Sequence, residues 1–207
     1  MSRVNQLVCS LRDTLGAAMI EFAIIGFLLF VLTGGLVDFA FAMYQWNSAS
    51  KAVQLGARLA AVSDPVSSDL KTLTGLDGGA LPGDAFPAFE RICSGANQSC
   101  SGGGSYDGGA MDTLVFGRGQ TSCGTVGADQ FAGMCDILNS IQTQNVIVTY
   151  RQTGLGFAGR PGGPVPTITV ELTGLNFNFV FLNSLLGPIT MPAMKTTATG
   201  EDLSTTN

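Results

Sequence analysis

Among the residues of this chain that could do chemistry, Glu21 is the most constraining. It is the one charged side chain in an otherwise apolar run over residues 17–37. A charged side chain at the centre of a bilayer costs roughly 2.5–3.5 kcal/mol on insertion scales, and less near an edge. An acid kept inside a membrane segment is therefore a functional candidate that calls for a partner. Here the candidate partner is a positive charge made from the chain itself. Cutting after Gly16 leaves a free amine on Ala17, and counted from Ala17 the acid is the fifth residue. The plainer alternative is that Glu21, only five residues into the run, reaches back to the headgroups.

Other chemistries are closed off by composition. The chain has no histidine, which removes Ser-His-Asp and Cys-His catalysis and the commonest zinc ligand. Glu90, Asp112, Asp129 and Asp136 are too scattered to claim as an acid pair, so no catalytic residue is assigned and the chain is not read as an enzyme. Asp77, Asp107 and Asp112 sit in Gly-rich turns, without the alternating acidic pattern of a calcium loop. No metal or cofactor is expected. Ten Lys and Arg against a net charge of −5 leave no basic face for nucleic acid. Asn97, Gln98 and Ser99 form a glycosylation sequon to which no role is assigned.

Of five cysteines, Cys9 precedes the apolar run, and Cys93, Cys100, Cys123 and Cys135 follow it in loop-like sequence. Four on one side of a span suggest two disulfides in an oxidising compartment. Three connectivities are open. Pairing Cys93 with Cys100 and Cys123 with Cys135 closes the shortest loops and is favoured. Free thiols and a four-cysteine zinc site are the alternatives, the latter weakened by the absence of any Cys-x-x-Cys.

The elements that carry these residues follow from texture. Residues 17–37 make about 31 Å of helix at 1.5 Å per residue, enough to cross the hydrocarbon. Asp38 falls where the chain should leave it. Arg3 and Arg12 flank the near side and favour a cytoplasmic N-terminus, although Lys51 and Arg58 beyond the run weaken the asymmetry. A cleavable signal peptide is the rival, but its core would be shorter, and only Ala40, Phe41 and Ala42 resemble a cleavage site. The helix should run on to Val62, with Val53, Ala57, Ala60 and Ala61 on one stripe, before Ser63, Asp64 and Pro65 end it. The Gly34-Gly35 pair is a place where it could loosen.

Residues 63–141 are punctuated by Gly, Ser, Pro and Asp and read as loops, with short helices over 84–92 and 129–141. Beyond residue 142 the pattern alternates. Val146, Val148 and Tyr150 share one strand face, Ile168, Val170 and Leu172 another, and Phe177, Phe179 and Phe181 a third, with a last strand over 189–199. The fold class is α+β: a long N-terminal transmembrane helix extending into a small antiparallel sheet with disulfide-stapled loops. The sheet's apolar face should pack on residues 45–62, and the loop over 154–164 joins two strands.

Gly16, Ala17, Ala18, Met19, Ile20, Glu21 and Phe22 together resemble the processing site of type IV pilin-like proteins. The short leader and the Glu-Phe pair resemble the Tad/Flp, or tight-adherence, branch. The apolar run, then the stretch from Asp38 to Tyr44, then that from Ala52 to Val62, is similar to TadE-like pseudopilins, with residues 16–62 the specific part. The C-terminal strands and the Met191-to-Glu201 stretch resemble them more weakly, and residues 64–140 do not. Asp38 stands where that family often carries Glu, which keeps the charge.

The resemblance implies a minor pilin or pseudopilin of a Tad-type (type IVb) pilus assembly system. Residues 1–16 would be a cytoplasmic leader removed by a prepilin peptidase at Gly16 and Ala17, with Glu21 and Phe22 serving recognition. Glu21 and Asp38 would serve assembly. Its partners would be the membrane, the peptidase, other pilin subunits and inner-membrane assembly proteins. It would be a single-pass inner-membrane protein with a periplasmic C-terminal domain, or extracellular in a pilus. The alternative is an unprocessed signal-anchored periplasmic binding or adhesion module.

Overall fold

The computed structural model describes residues 2–124, 126–183, 187–200 and 203–204, with side chains from Gly16 onward. Arg3, Cys9 and Arg12, read above as leader side chains, lie outside the described side chains, as does Glu201. The chain divides into two units. One comprises Met1–Met43 with Asn178–Ile189, the other Tyr44–Phe177 with Thr190–Asn207.

Helix α1 runs over Ser2–Ala61, extending the expected helix towards the N-terminus. Residues 2–15 contain neither Gly nor Pro, so nothing in them breaks the pattern. In the first unit most of its side chains from Met19 to Phe41 are apolar and exposed, with Gly34 and Asp38 buried among them. A helix surface this apolar is what a hydrocarbon surround selects. Its second half has a buried stripe of Ala49, Ala52, Val53, Ala57, Ala60 and Ala61. These three- and four-residue spacings place small side chains on one face. At the C-terminal end the Arg118 guanidinium donates to the Val62 carbonyl at 3.1 Å, satisfying a group that the terminating helix leaves open.

The second unit is built on a five-stranded antiparallel sheet. Its strands are β1 (Glu90–Ser94), β2 (Ser99–Ser101), β3 (Val146–Arg151), β4 (Thr167–Leu172) and β7 (Met194–Thr199), in the order β2-β1-β3-β4-β7. The inner faces of β3 and β4 bury Val146, Val148 and Tyr150 and Ile168, Val170 and Leu172, as the alternation predicts. They share one core with the small-residue stripe of α1. The outer face carries Thr149, Thr169 and Thr197 together with Arg151, Glu171 and Lys195. A two-stranded ladder, β5 (Asn176–Phe177) with β6 (Ile189–Thr190), completes the strands.

Several expectations for the middle of the chain are corrected. Residues 84–92 are not helical. Pro87 interrupts them and β1 begins at Glu90, bringing a segment read as loop into the sheet. Of 129–141 only α3 (Met134–Ile137) is helical. Helix α2 (Gly108–Phe116) arises in the Gly-rich stretch, where Asp107 caps it by accepting from the Ala110 amide at 3.1 Å. The last strand is split, because Pro192 lacks the donor that an unbroken ladder needs.

The two disulfides join Cys93 to Cys100 and Cys123 to Cys135. The first links directly opposed residues of the β1–β2 hairpin. The second ties the loop after α2 to α3. Each closes a short loop, and a disulfide typically contributes about 2–4 kcal/mol, least when the loop is short.

Candidate functional site

The functional candidates lie along the first unit. Gly16 is helical, and a Cβ added there would meet nothing within 4 Å. Glu21 is exposed and, among the described residues, makes no ion pair. Phe22 beside it is 79% exposed. The stretch around Gly16 and Ala17 is thus a bare helical rod with an acid one turn further on.

Asp38 is in the opposite condition. It is fully buried, although it follows a run of exposed apolar residues. Its carboxylate accepts from three consecutive amides. Oδ1 takes Val180 N–H at 2.6 Å and Phe181 N–H at 3.2 Å, and Oδ2 takes Phe181 N–H at 2.9 Å and Leu182 N–H at 2.6 Å. Successive amides turned towards one point form a concave anion site of the kind that backbone nests provide. Both carboxylate oxygens are occupied, so the negative charge is held by fixed dipoles.

The helix prepares this contact through its period. Phe30, Gly34 and Asp38 recur every four residues and lie on one stripe. The Phe181 ring settles on that stripe, edge-on to Phe30 at 6.0 Å between centroids. A Cβ at Gly34 would come within 3.3 Å of the ring. Gly34 is therefore a seat for Phe181, and α1 continues through the Gly34-Gly35 pair without a break. Phe177 is half-buried and packs against the core, Phe179 is half-buried and Phe181 is 43% exposed, so of the core face expected of the three only Phe177 joins the core. Only Asn176–Phe177 is strand, and the chain then leaves the ladder to reach Asp38. Asp38 is legible in the sequence but its partner is not, because main-chain amides leave no residue-type signature.

The remaining acids have separate local duties. Glu90 pairs with Arg151 across β1 and β3. Asp136 accepts from Gly133 N–H at 2.8 Å and Gly124 N–H at 3.0 Å, holding the turn around the second disulfide. Asp107 caps α2, while Asp129 is exposed. Burial pushes the Asp112 carboxyl above its ordinary value. A cleft of about 430 Å³ is lined by Phe86, Pro87, Phe89 and Arg91. The Arg91 guanidinium is held by Asp69 at 2.9 Å.

The comparison with known families bears on this helix. Residues 16–58 match the family model described as TadE-like protein. The chain carries a TadE-like segment. The match opens at Gly16, includes Glu21 and Asp38 and ends at Arg58, while residues 1–15 and 59–207 lie outside it. No curated protein and no solved structure matches the chain. A TadE-like segment fits a pilin-like protein associated with a Tad pilus. The apolar helix near the N-terminus fits a single-pass membrane anchor.

Proposed function

We propose that the chain is a minor pilin or pseudopilin of a Tad-type (type IVb) pilus assembly system, acting in pilus biogenesis, surface adherence or secretion. The observation that carries this reading is the TadE-like match beginning at Gly16, with Glu21 exposed on the apolar helix that follows and, among the described residues, without an ion pair. A prepilin peptidase would cut between Gly16 and Ala17, where the helix surface is unencumbered. Cleavage removes Arg3, Cys9 and Arg12 and creates an amine on Ala17. In an assembled bundle of such helices, the Glu21 carboxylate of one subunit pairs with the Ala17 amine of its neighbour. That pairing offsets part of the cost of burying each charge and sets the axial stagger. Asp38 serves assembly indirectly, by holding residues 180–182 against the helix.

The partners proposed are the inner membrane, the peptidase, other pilin or pseudopilin subunits and the inner-membrane assembly proteins. The C-terminal unit would face the periplasm or the surface of a filament, where an oxidising environment maintains both disulfides.

Intact mass of the membrane-extracted protein from its native host tests the reading. The expected mass lacks residues 1–16, and Gly16→Val restores the full length. A full-length mass for the unmodified chain overturns processing and favours the signal-anchored module.

A further inference from the structure

We propose that residues 178–183 form an interfacial loop that dips into the bilayer beside α1, with lipid acyl chains covering Val180 and Phe181. The inference rests on the reading that residues 17–37 cross the membrane.

The first observation is depth. Phe181 packs on Phe30 and Gly34, both inside the apolar run. Phe30 lies eight residues before Asp38, about 12 Å along the helix axis at 1.5 Å per residue. A side chain reaching Phe30 has passed the end of the run and stands beside its hydrocarbon portion. The second is composition. Residues 178–189 contain no Asp, Glu, Lys or Arg. Val180 is 60% exposed and Phe181 43%, beside a helix whose Leu36 and Val37 are also exposed. Water would surround these side chains at a cost, whereas acyl chains would not.

The third observation separates this loop from an ordinary surface loop. Irregular backbone is tolerated at membrane depth only where its polar groups are satisfied, because hydrocarbon offers no hydrogen bonds. Here three consecutive amides, on Val180, Phe181 and Leu182, all donate to one carboxylate. A loop in water can leave such donors to solvent or give them to a carboxylate, as at Asp136 in the other unit, whereas a loop in hydrocarbon needs the acceptor. At the edge of a bilayer, Asp38 quenches the donors that would otherwise keep the loop out. The amides in turn satisfy a carboxylate that the apolar helix would otherwise carry into lipid.

Tryptophan quenching in reconstituted vesicles tests this. In full-length chain with Trp46→Phe as background, single tryptophans are placed by Val180→Trp, Leu28→Trp and Thr197→Trp. All three positions are exposed, so the fold is undisturbed. Vesicles contain phosphatidylcholine brominated on its acyl chains. The expected result is loss of fluorescence for Val180→Trp to the same degree as for Leu28→Trp, with Thr197→Trp retaining its emission. Equal emission from Val180→Trp and Thr197→Trp overturns the loop proposal, including the case in which another protein covers the loop. If Leu28→Trp is itself unquenched, the membrane-spanning reading fails and the loop proposal falls with it.

Discussion

At the scale of single residues, Glu21 and Asp38 of α1 are a study in contrast. Glu21 is exposed and without an ion pair among the described residues, so none of them meets its need for a partner. Asp38 has its need met internally by three amides. The first is therefore suited to intermolecular pairing and the second to holding one chain together. Asp38→Asn tests the second role. The amide replaces one acceptor oxygen with an NH₂ donor that faces other donors. Hydrogen exchange at residues 180–182 of the detergent-solubilised protein should then accelerate by about tenfold or more. Unchanged exchange there would show that the carboxylate is not what holds the loop.

At the scale of elements, α1 is one helix with two surfaces. Its apolar half has open space around Gly35, while its second half is packed. At Gly56 an added Cβ would lie 2.5 Å from the Met134 sulfur, and Met134 is fully buried on α3. The missing side chain lets α3 approach the helix. Gly56→Val should destabilise the second unit by about 1–3 kcal/mol through overpacking, read from chemical denaturation of the full chain in detergent. Gly35→Ala should change stability little, or raise it by up to about 1 kcal/mol through helix propensity. Equal effects at the two glycines would sink this distinction. The strands show how elements escape a reading by composition. β1 lies just after Pro87 and is recruited into the sheet by pairing with β3, a contact far away in sequence.

At the scale of the whole molecule, stability should narrow at both ends of the pH range. Burial pushes the Asp69 carboxyl up, but the Ser67 hydroxyl and the Arg91 guanidinium more than offset it, leaving it below its ordinary 3.8. A depressed folded value means stability that is present above about pH 4 and lost as pH falls through the folded value. Burial pushes Tyr150 well above its ordinary 10.0, with its hydroxyl accepting from Val66 N–H at 3.0 Å. Above about pH 10 the unfolded chain releases that proton more readily than the folded one, so stability falls as pH rises. Denaturation midpoints across pH should show both limbs. Asp69→Asn should flatten the acid limb and Tyr150→Phe the alkaline one, and a wild-type acid limb that persists unchanged in Asp69→Asn would remove Asp69 as its source.

What the sequence determined by itself was whatever depends on local order. The length and polarity of the apolar run, the offset of Glu21 from Gly16, the small-residue stripe of α1 and the alternation in β3 and β4 are all one-dimensional patterns that periodicity exposes. The favoured cysteine pairing was also legible, since short loops close at least entropic cost. Tertiary structure decided where distant backbone meets a side chain. The amides of residues 180–182 carry no residue-type signature, and their meeting with Asp38 spans more than a hundred residues. The same holds for β1, and for the phenylalanines expected in the core, of which Phe181 lies on the apolar helix instead. Hydrogen-bond partners of main chain are set by topology, and topology is not written in any single window of the chain.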